Sequence, residues 1–456
     1  MDPLVRTDPI KTSHVVAVPY PGRGHINPMM NLCKLLTNSQ PDLQITFVIT
    51  EEWLGLIGSE DKPPTIRFQT IPNVLPSELN RAADMLSFVG ATQTKMAEPF
   101  ERLLDRLGAH VNLIIADTFL NWAVDVGNRR NIPVASLWPM PAAAFSVFYH
   151  FDLLVRNGDH PFEVSEKGEE RVDYIPGISS IRLMDIPTIA YMKDLRLFHL
   201  ALQIFPNVSK AQYLLSTSIY ELEPQAINAL KQEFSFPVYT FGPTIPYLNF
   251  EPSRENNHDH YFQWLNSQPQ NSVLYVSLGS FLSVSSAQMD EIADGLRESG
   301  VNFLWVARGE ATRLQERCGD KGKVVPWCEQ LKVLCHSSVG GFWTHCGWNS
   351  TVECVYAGVP IIAFPIMMDQ TTNRKLIVED WGIGLDAKRD LRSGELLMSG
   401  EIAEIVKKFM DLESDERKEM CGRAKELQKK TKGAIMDGGS SKTNLDSFLK
   451  DITSFN

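Results

Sequence analysis

The chain has 456 residues, of which 43% are hydrophobic and 22% are charged. This composition excludes a disordered chain, and the length exceeds what one hydrophobic core usually supports, so we expect two domains. The 44 basic and 55 acidic side chains give a net charge of −11, which disfavours nucleic acid and anionic membrane surfaces as partners.

The seven cysteines have no paired C-x-x-C spacing, which is typical of a reduced cytosolic protein. The N-terminus lacks the apolar core of a secretory signal. The longest apolar runs, such as 359–368, are shorter than the roughly 18 to 20 residues of a membrane span. We therefore expect a cytoplasmic protein without an integral membrane segment.

The first half of the chain alternates apolar strands with stretches long enough for helices. A strand at 14–20 runs into a glycine turn, after which Asn27 as N-cap and Pro28 at the first helical position predict a helix to residue 36. This order is typical of βαβ units in a parallel sheet. Further strands are predicted at 44–49, 111–116 and 132–137.

A new α/β unit starts after a charged segment at 251–260 that predicts an interdomain linker, and the polar insertion at 157–173 predicts a surface loop. Later strands are predicted at 272–278 and 302–307, and helices at 286–299, 400–411, 414–431 and 440–448. We therefore predict an α/β fold with two facing doubly wound, Rossmann-like domains. The predicted bounds are 1–245 for the first domain, 246–261 for the linker, 262–436 for the second domain, and 437–456 for a C-terminal helix that packs back on the first.

Polar side chains concentrate where the strands of the second domain end. The run VGGFWT at 339–344 predicts a buried strand, and HCGWNS follows it directly. A helix is predicted next, because Ser350 and Glu353 match the S-x-x-E capping box and Gly358 suits a left-handed C-cap. Open α/β sheets bind ligands at this edge, and the free N–H groups of a helix start favour a phosphate there.

The stretch from Trp327 to Gln370 resembles the 44-residue signature box of plant UDP-sugar-dependent glycosyltransferases. The matches keep the family's spacing and comprise His336, His345, Cys346, Gly347, Trp348, Asn349, Ser350, Glu353, Asp369 and Gln370. The resemblance implies the GT-B fold, with the acceptor in the first domain and the UDP-sugar in the second. It also implies an inverting transfer that needs no metal and no cofactor, with UDP-glucose as co-substrate. Animal relatives carry a C-terminal membrane anchor that this sequence lacks, so the soluble plant type is expected, and we expect a monomer.

The resemblance assigns the donor-binding residues. Uracil and ribose are expected to contact Trp327, Cys328, Gln330 and Glu353. The phosphates are expected to contact Ser280, His345, Asn349 and Ser350, and the sugar is expected to contact Trp348, Asp369 and Gln370. Gly347 is also implied as a donor-binding residue. Gln370 resembles members that prefer UDP-glucose. Structural alternatives stay open for several of these residues. The two tryptophans could pack in the hydrophobic core, and Glu353 could be only the capping-box partner of Ser350. Ser280 could belong to a plain turn at the end of its strand. His336 is interpreted as structural.

His25 and Asp117 are the candidate catalytic pair. His25 follows the first strand at the entry of a helix, whose dipole disfavours a charged ring, and Asp117 follows the strand at 111–116. Without a family resemblance, a lone histidine is more often a solvated or helix-capping residue, and an aspartate at a strand end more often caps a turn. The family resemblance implies instead that His25 is the general base and that Asp117 orients it, as in a hydrolase triad.

The acceptor pocket is predicted from apolar segments of the first domain, although core packing explains them almost as well. The segments are 138–149 and the loop near 85–88, and the candidate residues within them are Met85, Phe88, Trp138, Phe145 and Phe148. We therefore predict a UDP-glucose-dependent transferase that acts on a hydroxyl or carboxyl group of a small apolar plant metabolite. The alternatives are a nicotinamide-dependent oxidoreductase, for which the full G-x-G-x-x-G is missing, and a sugar-nucleotide-binding protein without catalysis.

Overall fold

Two parallel β-sheets, each covered by helices on both faces, form the molecule. The computed structural model describes residues 13–58, 63–81, 83–247, 260–279, 284–387 and 396–454. The predicted linker at 246–261 falls largely outside the described residues. The predicted α/β fold of two doubly wound sheets is confirmed.

The first sheet has seven strands in the order β3-β2-β1-β4-β5-β8-β9, and its pairs are parallel. A separate antiparallel pair consists of β6, at the end of the predicted surface loop at 157–173, and β7, which follows that loop. The strands are β1 His14–Val18, β2 Gln44–Thr50, β3 Ile66–Ile71, β4 Leu113–Asp117, β5 Val134–Trp138, β6 Arg171–Val172, β7 Ile181–Arg182, β8 Tyr213–Ser216 and β9 Val238–Thr240. The helices are α1 Arg23–Ser39, α2 Glu51–Ile57, α3 Met85–Lys95, α4 Ala97–Arg106, α5 Trp122–Arg129, α6 Ala142–Tyr149, α7 Phe151–Arg156, α8 Val164–Lys167, α9 Arg196–Ile204 and α10 Pro224–Glu233.

The second sheet has six parallel strands in the order β12-β11-β10-β13-β14-β15. Its strands are β10 Val273–Ser277, β11 Asn302–Val306, β12 Gly322–Val325, β13 Val339–Thr344, β14 Ile361–Ala363 and β15 Gly384–Asp386. Its helices are α11 His260–Asn266, α12 Ser286–Ser299, α13 Ala311–Cys318, α14 Gln330–Leu334, α15 Trp348–Ala357, α16 Gln370–Lys375, α17 Ser399–Met410, α18 Asp415–Ala434 and the C-terminal α19 Ser440–Thr453.

Central strands and well-capped helices agree best with the sequence predictions. All residues of β13 are buried, as expected of a parallel strand covered on both faces. α12 begins after Ser285, whose side chain accepts from the amide of Gln288, and it ends at Gly300 in the left-handed conformation, with φ +69°. The bounds predicted for β13 and α12 are thus confirmed.

The first helix begins earlier than predicted. α1 starts at Arg23, because the amides of His25 and Ile26 already donate to the carbonyl of Gly22 at 2.9 Å. Pro28 therefore lies inside α1 and not at its first position. A proline there supplies no N–H, so the carbonyl four residues earlier has no helical donor.

The C-terminal helix α19 packs against the first sheet. Leu445 and Phe448 are buried in one cluster with strands β1 and β2. Asn444 donates to the carbonyl of Thr240 at 3.1 Å, and Tyr239 donates to Asp451 at 2.7 Å. The chain thus returns to the first sheet after it has completed the second.

Candidate active site

A cleft of about 920 Å³ lies between the two sheets and is lined by residues of both. His25 and Phe119 come from the first half of the chain, and His345, Asn349 and Gln370 come from the second. The loops and first helical turns that follow the carboxyl ends of the strands supply these side chains, which is the position expected for ligands of open α/β sheets.

His25 and Asp117 meet in the wall of this cleft. Asp117 is the last residue of β4, and its Oδ2 lies 2.8 Å from Nδ1 of His25 in the first turn of α1. A carboxylate oxygen only accepts, so Nδ1 carries the proton and Nε2 is the basic nitrogen. The other oxygen of Asp117 accepts from the amide of Phe119 at 3.0 Å, which holds the carboxylate in this orientation.

Aromatic rings limit the movement of the His25 imidazole. The ring of Tyr20 lies 5.0 Å from it and that of Phe119 lies 5.8 Å away, measured between centroids. The histidine side chain keeps 21% of its surface exposed, whereas that of Asp117 has none. The ring is therefore packed on its sides and still open to the cleft.

The Arg81 side chain lies against Gly22. A Cβ at Gly22 would lie 2.4 Å from Nη1 of Arg81, which donates to the carbonyl of Pro21 at 2.9 Å. Arg81 also pairs with Glu78 at 3.1 Å. Burial raises the pKa of the Glu78 carboxyl to about 7, even though the Arg81 guanidinium opposes the shift.

The start of α15 forms the opposite wall. Its N-cap is Gly347, and no side chain caps the helix, so the first amides of α15 are free to bind an anion. The ring of His345 lies against two glycines: a Cβ at Gly279 would be 2.8 Å from its Nε2, and one at Gly347 would be 2.4 Å away. Burial lowers the pKa of His345 to about 4, so the ring is neutral near pH 7 and can donate one hydrogen bond.

Asn349 links the two walls directly. Its Nδ2 donates to the carbonyl of Gly24 at 2.9 Å. This is the carbonyl that Pro28, four residues further along α1, cannot satisfy. The first turn of α15 is thereby joined to the residue that precedes His25.

The predicted capping box is wrong. Ser350 and Glu353 lie within α15, and both accept from Nε2 of Gln330, at 2.9 and 2.6 Å. Gln330 in turn accepts from the hydroxyl of Tyr275 at 3.1 Å. Burial raises the pKa of Glu353 to about 7. Because Gly347 starts the helix, the carboxylate is turned toward the cleft and not toward the helix cap.

The two tryptophans of the box differ in exposure. Trp327 keeps 58% of its surface exposed on the cleft wall, as a stacking platform requires. Trp348 is only 4% exposed, and its ring lies 6.2 Å from that of Trp381, so most of it belongs to the core. Cys328 is buried, with its Sγ 3.3 Å from the hydroxyl of Tyr275.

Asp369 and Gln370 lie in the loop before α16 and at its start. Asp369 accepts from Asn373 at 2.8 Å, and burial raises the pKa of its carboxyl while this hydrogen bond opposes the shift. The Oε1 of Gln370 accepts from the amides of residues 366 and 367, so its NH₂ group is the part left for a ligand. Both residues line the cleft.

The acceptor predictions need correction, because only Met85 of the five candidates lines the cleft. The other four are at most 1% exposed and pack in the core; they are Phe88, Trp138, Phe145 and Phe148. The apolar wall is formed instead by Phe119, Ile189, Leu197, Leu200 and Ile204, which the sequence analysis did not identify, together with Met140 from the predicted segment 138–149. Three of these recur at helical spacing in α9, which was the available signal.

Other predicted residues lie elsewhere. Ser280 is outside the described residues. His336 contacts Ser338 at 2.8 Å and Asn266 at 2.9 Å, which fits the structural role expected for it. Within the described ranges, no group of three histidine, cysteine or acidic side chains is placed to hold a metal ion. None of the helices in the described parts of the chain is long and apolar enough to cross a bilayer.

Comparison with known proteins agrees with this geometry. Residues 228–409 match the family model described as UDP-glucoronosyl and UDP-glucosyl transferase. UDP-glycosyltransferase 87A2 of Arabidopsis thaliana is 52% identical over 100% of both chains, and 87A1 of the same plant is 52% identical over 96% of this chain and 99% of its own.

Solved structures give the same result. Medicago truncatula UGT71G1 in complex with UDP-glucose superposes with a TM-score of 0.83 at 27% identity, over 97% of this chain and 99% of that one. Phytolacca americana UGT2 with UDP-2fluoro-glucose and pterostilbene gives 0.81 at 28% identity, over 97% and 100%. The chain therefore belongs to the plant UDP-glycosyltransferases, GT-B enzymes that transfer a sugar from a UDP-sugar to a small molecule.

Proposed function

We propose that the protein is an inverting glucosyltransferase that moves glucose from UDP-glucose to a hydroxyl or carboxyl group of a small apolar metabolite. The observation that carries this proposal is the pair of His25 and Asp117, 2.8 Å apart, in a cleft whose other wall is the uncapped start of α15. One wall offers a base and the other offers donors to an anion, as a displacement with an anionic leaving group requires.

In the proposed mechanism, Nε2 of His25 takes the proton of the acceptor hydroxyl while that oxygen attacks the anomeric carbon. The bond from this carbon to the β-phosphate oxygen breaks, and UDP leaves with the electron pair. Asp117 stabilises the imidazolium that forms. The amides at the start of α15 and the neutral ring of His345 donate to the charge that develops on the phosphate. A single displacement converts an α-linked donor into a β-glucoside.

The proposed sugar is supported by the polar groups at the start of α16. Asp369 offers acceptor oxygens and Gln370 offers its NH₂ group to sugar hydroxyls. The solved relatives of Medicago and Phytolacca bind UDP-glucose and its 2-fluoro analogue. These observations favour glucose as the transferred sugar.

The proposed acceptor class is supported by the wall of α9 and its neighbours. Leu197, Leu200 and Ile204 present an apolar surface, opposed by Met85 and Phe119. Such a surface binds an aromatic or terpenoid skeleton better than a sugar or a charged peptide. The relative from Phytolacca holds pterostilbene, and a rice relative, Os79, holds a trichothecene.

A screen of the purified protein tests the proposal. UDP-glucose is incubated with a panel of small hydroxylated and carboxylated metabolites, UDP release is recorded, and the anomeric configuration of each product is determined by NMR. We expect a β-glucoside or a β-glucose ester from at least one apolar acceptor, and its loss in His25→Ala. An α-linked product would refute the inverting mechanism. Binding of UDP-glucose without transfer or hydrolysis would favour a non-catalytic protein.

A further inference from the structure

Met368, which directly precedes Asp369 and Gln370, has an unusual backbone conformation. Its φ is +61°, in the left-handed region that residues with side chains rarely adopt. Such a conformation persists only where the surrounding structure holds it in place. The position of the two proposed sugar ligands therefore depends on what holds Met368.

Thr188, from the other half of the cleft, holds both backbone groups of Met368. The Thr188 hydroxyl accepts from the amide of Met368 at 2.8 Å, and the Thr188 amide donates to the Met368 carbonyl at 3.1 Å. Thr188 is 9% exposed, so its side of these two bonds is largely buried. Contacts within the loop also contribute, because Gln370 accepts from the amides of residues 366 and 367, but Thr188 is the residue from the other half of the cleft that bonds to both backbone groups of Met368.

The segment that carries Thr188 is itself anchored along α16. Thr371 donates to the carbonyl of Ile186 and Thr372 to that of Asp185, each at 2.8 Å. The buried Arg374 pairs with the carboxylate of Asp185. Because these bonds fix the segment from several points, Thr188 is a rigid support for Met368.

We propose that Thr188 is a positioning residue that sets the donor-sugar selectivity of the enzyme. Its hydroxyl fixes the turn at Met368, and this turn directs Asp369 and Gln370 toward the sugar. Ile189, the next residue, lines the acceptor side of the cleft, so one short segment forms part of the acceptor wall and also supports the sugar loop. The inference rests on the proposed role of Asp369 and Gln370 as sugar ligands.

Three substitutions test this role. Thr188→Val keeps the shape of the side chain and removes only the hydroxyl, and Thr188→Ser restores it. Tyr239→Phe is the control, because it also removes a single hydroxyl hydrogen bond, to Asp451 at 2.7 Å, that lies away from the sugar loop and from the segment that carries Thr188. For each variant, kcat and KM are measured with UDP-glucose and UDP-galactose, and the Kd of UDP is measured by calorimetry. If no acceptor is known, hydrolysis of the UDP-sugar is the readout.

We expect Thr188→Val to raise the KM for UDP-glucose about 10-fold, because the amide of Met368 loses its acceptor. The ratio of kcat/KM for UDP-glucose to kcat/KM for UDP-galactose should shift toward one. The Kd of UDP should stay unchanged, and Thr188→Ser and Tyr239→Phe should keep the wild-type ratio. An unchanged ratio in Thr188→Val, or an equal shift in Tyr239→Phe, would overturn the inference. If Thr188→Val does not fold, Thr188→Ala answers the same question.

The two proposals fail in different ways. A wild-type enzyme that uses another UDP-sugar better than UDP-glucose would contradict the proposed donor. The role of Thr188 would then be judged by whether its substitution moves the wild-type ratio, whatever the preferred sugar is.

Discussion

Replacing Asp117 by asparagine should separate catalysis from binding. The amide of Phe119 donates to Oδ1 of Asp117 at 3.0 Å, so the asparagine oxygen would stay at that position and its NH₂ group would face His25. Nδ1 of His25 would then have to accept, and the ring proton would move to Nε2, the atom that must take the acceptor proton.

The size of the effect follows from the lost charge. Two unit charges roughly 4 Å apart at an effective dielectric constant of about 20 interact by about 4 kcal/mol. That energy corresponds to a decrease of about 10³-fold in kcat, within the range of about 10² to 10⁴ for general base catalysis. The Kd of UDP should not change, because Asp117 lies in the wall opposite α15.

Three measurements check the Asp117→Asn prediction. Initial-rate assays of UDP release give kcat, and calorimetry gives the Kd of UDP. The double variant with His25→Ala tests whether the two residues act as one unit. The double variant should be no slower than His25→Ala alone. A kcat within a few fold of wild type, or a full further loss in the double variant, would refute the dyad.

Three more predictions follow from the donor wall. Trp327→Ala should weaken UDP binding by about 1 to 3 kcal/mol, the range for stacking of a base on an aromatic ring. The melting temperature should stay constant, because the Trp327 side chain is 58% exposed. An unchanged affinity for UDP in calorimetry would exclude stacking. Glu353→Ala should lower the preference for UDP over its 2′,3′-dideoxy analogue by about 1.5 to 3 kcal/mol, because the ribose hydroxyls would lose their carboxylate acceptor. An unchanged preference would place the ribose elsewhere. Burial lowers the pKa of His345 from 6.5 to about 4. Between pH 6.5 and about pH 4, the folded state therefore binds fewer protons than the unfolded chain. The free energy of unfolding falls as the pH is lowered through this range. His345→Gln should therefore lose about 2 kcal/mol less free energy of unfolding than wild type between pH 7 and pH 5, measured by urea denaturation; parallel losses would contradict the shifted pKa.

Local patterns explain the predictions that agreed with the structure. β13 is a continuous apolar run, and α12 has a serine N-cap and a glycine C-cap, so neighbouring residues alone define their ends. The donor residues from Trp327 to Gln370 are close in the chain, and the cleft gathers most of them because their strands end at one edge of the second sheet.

Packing between distant segments explains the errors. Trp138, Phe145 and Phe148 are apolar enough to line a pocket or fill a core. Rings from distant segments, such as Phe205 within 6 Å of all three, bury them in the core. Ser350 and Glu353 have the spacing of a capping box, but Gln330 reaches their side chains from another helix.

The sequence by itself determined the fold class, the family and the two candidate catalytic residues, because strand periodicity and motif spacing are local properties of the chain. The tertiary structure decided which side chains reach the cleft. It placed Pro28 inside α1, where the missing N–H leaves the carbonyl of Gly24 for Asn349, 325 residues away. It also placed Thr188 against Met368. Such contacts depend on how the two sheets face each other, and no local pattern encodes that arrangement.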